Sequence, residues 1–154
     1  MSASTNSGSA RSRIITAVAT IVAAAALLIA AAPSPASEGP NPPWRSADWI
    51  TTELFNAQTD LILRDPSGPS IANARKALSG PLRRGLAISA PAELRLIGRQ
   101  LDRADRALPA GDSVALAAAR GTITAALRRG AFHRSIELTE AGDARAAREW
   151  LQIR

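Results

Sequence analysis

Along most of this chain, apolar side chains return every three or four positions, and no stretch shows strand-like alternation. Trp49, Ile50, Leu54, Ala57 and Leu61 form one such stripe, widened by Phe55 and Ile62. It predicts a first helix over residues 46–64, with Ser46 as N-cap and Asp48 in a first turn whose dipole favours negative charge. The turn Asp65-Pro66-Ser67-Gly68-Pro69 then stops it. Ser70 suits the cap of a second helix reaching residue 78, and Ser79-Gly80 ends it. Pro81 fits the first turn of a short helix over residues 82–88.

Ser89 suits a further cap, with Pro91 in the first turn and Glu93 behind it. Leu94, Ile97, Leu101, Ala104 and Leu108 then keep a regular seam, opposite Arg95, Arg99, Asp102 and Arg106. Pro109-Ala110-Gly111 breaks that helix. The longest segment starts at Asp112 or Ser113 and runs to about residue 140. Leu116, Ile123, Leu127 and Ala131 mark one apolar face, and Ala118, Ala125, Phe132 and Ile136 mark a second. Two apolar faces predict a helix central to a bundle. Gly121 and Gly130 inside it suggest close approach of neighbours. Gly142 and Asp143 form another stop and cap, and the last helix covers residues 144–153 with Ala147, Trp150 and Leu151 on its apolar side. The expected fold is all-α, a bundle of about five helices.

A different pattern precedes the bundle. Residues 14–32 carry no charge, follow Arg11 and Arg13, and lead into Pro33-Ser34-Pro35-Ala36-Ser37. A basic start, an apolar run and a small-residue end are the marks of a signal peptide. A cut before Ser37 satisfies the small-residue rule through Ser34 and Ala36. Left uncut, the run reaches the ~20 apolar residues that span a bilayer, and it would serve as an anchor. Residues 1–36 therefore read as signal peptide or anchor, 37–43 as a Pro-rich linker and 44–154 as an extracytoplasmic helical domain. The location expected is secreted, or held at the cell membrane by residues 14–32.

Composition narrows the chemistry. With aromatics at 3% the core has to be aliphatic. Cysteine is absent, which excludes disulfides, thiol catalysis and thiolate metal sites. The net charge of +6 comes almost wholly from arginine, and Lys76 is the only lysine. Most arginines interleave with Asp and Glu, as at Arg99, Asp102, Arg103, Asp105 and Arg106, which marks a solvated helix face rather than a nucleic-acid footprint. No nucleic-acid partner is expected.

His133 is the single histidine, and Glu137 and Glu140 lie on its side of a helix. One imidazole and two carboxylates are a weak candidate set for iron or zinc, short of a ligand from a second helix. A surface histidine beside an i+4 carboxylate is the simpler reading. No cofactor is expected beyond possible iron. Glu53 and Asp60 stand a heptad apart on the first helix and read as a solvated face. Arg83-Arg84 and Arg128-Arg129, each followed by glycine, have the chemistry to hold anions or lipid headgroups. There is no nucleophile elbow and no Gly-rich phosphate loop behind a strand, so no enzyme is expected and no catalytic residue is named.

Four stretches add a resemblance: Gly80-Pro81-Leu82-Arg83-Arg84-Gly85-Leu86, Val114-Ala115-Leu116-Ala117-Ala118-Ala119-Arg120-Gly121, Leu127-Arg128-Arg129-Gly130-Ala131-Phe132, and Gly142-Asp143-Ala144-Arg145-Ala146-Ala147-Arg148-Glu149-Trp150-Leu151. Together they resemble the extracytoplasmic helical region of bacterial high-affinity iron permeases, over roughly residues 46–154. That family binds iron through Arg-Glu-Gly-Leu-Glu motifs in its membrane helices, and this chain has none. The resemblance thus implies an accessory domain without the permease part, to which no iron ligand carries over. The partner it implies is a membrane permease or another envelope protein.

Overall fold

A computed structural model describes residues 41–64 and 68–154. The expected leader, most of the linker and the Asp65-Pro66-Ser67 part of the first turn lie outside the described residues. Gly39–Arg154 forms one compact unit. It contains α1 (Pro43–Ile62), α2 (Ser70–Ala77), α3 (Gly80–Ser89), α4 (Pro91–Ala107), α5 (Ser113–Glu140) and α6 (Ala144–Leu151). The fold is all-α, with six helices and no strand among the described residues.

The long α5 is the central element, packing against α1, α3, α4 and α6. Its neighbours close a core of small and aliphatic side chains: Ile50, Leu54, Leu82, Leu86, Ile97, Leu101, Leu116, Ile123 and Leu127 are fully buried. Of the two apolar faces expected on α5, one is buried. Leu116, Ile123, Leu127 and Ala131 lie in the core, joined by Ala119 and Ala126. Phe132, at 58% exposed, and Ile136 face solvent. Neighbours pack on one flank only, and periodicity alone does not say which apolar stripe they cover. For the same reason Phe55, Ile62 and Leu151 stand exposed rather than widening their stripes. The α4 seam is as expected: Ile97, Leu101 and Ala104 are buried, and Arg95, Arg99, Asp102 and Arg106 are outside.

Both joints flanking α5 are built alike. Gly111 and Gly142 take φ of 70° and 82°, the left-handed region where a Cβ is unfavourable. Each makes the paired bonds of a Schellman motif: Asp112 N–H to Ala107 C=O at 3.0 Å and Gly111 N–H to Leu108 C=O at 3.1 Å, then Asp143 N–H to Leu138 C=O at 2.8 Å and Gly142 N–H to Thr139 C=O at 3.0 Å. The following aspartate caps the next helix. Asp112 accepts from the Ala115 amide at 2.8 Å, and Asp143 from the Ala146 amide at 3.0 Å.

The serine caps expected elsewhere are not used. α1 starts at Pro43 with Pro42 at the cap position, and Ser46 is buried inside its second turn. Ser70 is the first helical residue of α2, behind Pro69. Ser89 is the last residue of α3, and Ala90 separates it from α4. Proline fixes φ near the helical value and needs no donor partner, so it opens α1 without a side-chain cap.

Two glycines mark places where helices nearly touch. A Cβ on Gly85 would lie 2.1 Å from Cζ2 of Trp150 on α6. A Cβ on Gly130 would lie 2.3 Å from Cδ2 of Leu86 on α3. Gly121 differs from expectation: a Cβ there would meet open space, so close packing does not account for it.

Candidate functional site

One group of polar contacts between helices lies where the α3–α4 joint meets α5; a separate one joins Arg75 on α2 to Asp102 on α4 at 2.8 Å. Glu93, in the first turn of α4, receives a two-pronged contact from Arg129, with Nε and Nη2 each donating at 2.9 Å. The planar guanidinium matches a carboxylate in this way. The Arg129 hydrogen bond holds the Glu93 carboxyl below the usual carboxylate range, with further attraction from the charge of Arg129 and then of His133. The same pair raises the Arg129 guanidinium above its ordinary value.

Two turns along α5 from Arg129, Glu137 accepts from the Ser89 hydroxyl and from Nη1 of Arg134, the latter at 3.2 Å. Nη1 also reaches the Ser89 oxygen at 3.4 Å. The Ser89 hydrogen bond is the main reason the Glu137 carboxyl lies below its ordinary range, and Arg134 adds to it. Ser89 is therefore a tie between α3 and α5 rather than a cap.

His133 sits on the exposed surface of α5, its ring edge-on to Phe132 with centroids 6.5 Å apart. Glu140 is exposed at the end of the helix. Glu137, the middle member of the candidate metal set, is occupied by Ser89 and Arg134. Among the described residues no group of three or more His, Asp or Glu side chains comes together in a form that could hold a metal ion.

Glu53 departs from the solvated face expected of it. It is buried, and Nδ2 of Asn73 on α2 donates to it at 3.4 Å. Asp60 remains half-buried near Gly68. The arginine pairs also divide. Arg129 is committed to Glu93, whereas Arg83, Arg84 and Arg128 are exposed and have no ion-pair partner among the described residues.

Among the described residues, clefts open beside the start of α1 and beside α3. One, of about 230 Å³, lies between the start of α1 and the end of the chain and includes Trp44, Asp48, Leu127 and Ile153. The other, of about 290 Å³, lies among α1, α3, α5 and α6 and brings Arg84 and Arg134 together beside Ile88 and Trp150. Sequence reasoning singled out Arg84 and missed Arg134, Ser89 and Glu93 as site-forming residues. The i+3 spacing of Arg134 and Glu137 was the one available signal, because the others meet only across helices.

The model of the iron permease FTR1 N-terminal domain matches residues 40–154, three quarters of the chain and all six helices. The chain belongs to that family. No curated protein and no solved structure matches it. Membership of the FTR1 N-terminal family sets a transport context rather than an enzymatic one. Among the described residues of this FTR1 N-terminal domain, no helix is long and apolar enough to cross a membrane.

Proposed function

We propose that this chain is an exported, non-catalytic accessory domain of an iron-permease system, acting by contact with a membrane permease or another envelope protein. The family match carries the reading, because it covers the whole helical unit. The uncharged run over residues 14–32 behind Arg11 and Arg13 supports export, by cleavage before Ser37 or by anchoring. The network at the α3–α4 joint supports a scaffolding role, since its carboxylates are tied to Arg129, Arg134 and Ser89. The exposed apolar residues Phe132 and Ile136 on α5 and Leu151 on α6 offer contact surface.

The test is done in cells that make the native chain. A C-terminal alkaline phosphatase fusion reports export, and a photo-crosslinker at position 132 reports contact. Active phosphatase, a crosslinked permease and reduced radio-iron uptake on deletion are the expected results. An inactive fusion would overturn export. A crosslinked envelope protein other than a permease, with uptake unchanged, would replace the reading with a free-standing envelope binder that has no metal role.

A further inference from the structure

The side of α5 turned away from the core carries almost no charge. From residue 114 to residue 136 it presents Val114, Ala118, Gly121, Ala125, Arg128, Phe132 and Ile136. At about 100° per residue these fall within roughly 80° of arc, opposite Leu116, Ile123 and Leu127 in the core. Ala125 is half-buried and the others are exposed, Val114 at 78% and Phe132 at 58%. The outer face of α4 carries Arg95, Arg99, Asp102 and Arg106, the composition that a helix face in water ordinarily has. From Val114 to Phe132 the α5 positions keep the alternating four- and three-residue steps of a coiled-coil seam. Gly121 is an independent sign. Glycine is unfavourable inside an exposed helix, and a Cβ there would meet nothing within 4 Å. A second backbone approaching from outside gives the missing side chain a purpose.

We propose that this face pairs with the same face of a second copy, the two α5 helices running antiparallel about a two-fold axis at Ala125. The occupant follows from the order of small and large side chains. The first half of the strip is small at Ala118 and Gly121, and the second half is bulky at Phe132 and Ile136. Antiparallel pairing sets Phe132 against the partner's Ala118 and Ile136 against the partner's Val114. The stem of Arg128 crosses the partner's Gly121, and its guanidinium stays in water at the edge. Parallel pairing in register would instead set Arg128 against Arg128 and Phe132 against Phe132, with like charges opposed and the small half unfilled. The strip is about 33 Å long and about 10 Å wide, so each copy contributes roughly 330 Å². That falls short of a permanent dimer and suits a weak, reversible pair. Pairing covers the Phe132 and Ile136 offered to a permease, so the two contacts exclude each other and chains without a permease pair. The pairing itself goes beyond the permease reading and does not rest on it.

The chain has no cysteine, so single cysteines report the geometry directly. The purified full chain, in nonionic detergent and with no permease present, is oxidised with copper phenanthroline, and the disulfide-linked dimer is timed on gels. Ala125→Cys should dimerise at least tenfold faster than Arg99→Cys on the outer face of α4. Val114→Cys mixed with Ile136→Cys should cross-link faster than either alone. Gly121→Leu points into open space in the folded unit, so it should leave the urea midpoint the same or higher while slowing Ala125→Cys at least fivefold. Equal rates for Ala125→Cys and Arg99→Cys would overturn the pairing. So would self-linking of Val114→Cys and of Ile136→Cys in preference to the mixture, or an Ala125→Cys rate unmoved by Gly121→Leu. In envelope membranes a photo-crosslinker at position 125 should capture a second copy; capture of lipid or of another protein, with no second copy, overturns it as well.

Discussion

Replacing Gly85 with alanine sets two effects of opposite sign against each other. Alanine in a helix interior is favoured over glycine by ~1 kcal/mol, so propensity alone predicts a more stable protein. In the structure the new Cβ falls 2.1 Å from Cζ2, 2.5 Å from Cη2 and 3.2 Å from Cε2 of Trp150. Ordinary carbon contacts begin near 3.5 Å, so the ring must retreat by more than an ångström. Trp150 is only 5% exposed and belongs to the eight-residue α6, so it moves by shifting that helix. Overpacking of this kind costs ~1–3 kcal/mol, and complete loss of a buried tryptophan ~3–5 kcal/mol. The net expectation for Gly85→Ala is a destabilisation of ~0–2 kcal/mol after the propensity gain. Urea denaturation of the full chain, followed by far-UV circular dichroism, measures it. A red shift of tryptophan emission reports displacement of Trp150. In the Trp150→Leu background the penalty should shrink or change sign, because the obstructing ring is gone. A Gly85→Ala protein that is more stable than wild type, with unchanged emission, would refute the close α3–α6 contact.

Three further outcomes are expected. Asp112→Ala and Asp143→Ala each remove a helix cap and should each cost ~0.5–2 kcal/mol, read as a lower denaturation midpoint; a cost at one joint only would show that the two are not equivalent. Glu93 has a depressed folded pKa, so its bond to Arg129 contributes fully above the ordinary carboxylate range and is lost as pH falls through the folded value. The stability gap between wild type and Arg129→Gln should therefore be flat from pH 6 to 8 and close on acidification, and a gap undiminished at pH 2 would contradict this assignment. The elevated Arg129 value limits the bond only at strongly alkaline pH. Phe132→Ser should change stability by less than ~0.5 kcal/mol as a surface substitution, whereas a core phenylalanine would cost ~3–5 kcal/mol.

The pattern of these predictions follows what each level of description contains. Helix ends at Gly111-Asp112 and Gly142-Asp143 were legible in sequence because left-handed glycine and aspartate capping are local: every atom involved lies within a few residues. The α4 seam was legible because one stripe of Leu, Ile and Ala faces one stripe of Arg and Asp, which leaves a single way to pack it. Local signals misled where two answers were equally good. Ser46, Ser70 and Ser89 looked like caps, yet nearby prolines open α1 and α2 and free Ser89 to bond Glu137. On α5 two apolar faces competed, and only the placement of α1, α3, α4 and α6 decided that Leu127 is buried while Phe132 is exposed. Burial of Glu53, the Glu93–Arg129 fork and the meeting of Arg84 with Arg134 likewise join residues from separate helices. Helical periodicity states which side chains share a face. It carries no information about which neighbouring helix covers that face, and the cleft that brings Arg84 and Arg134 together exists only through that choice.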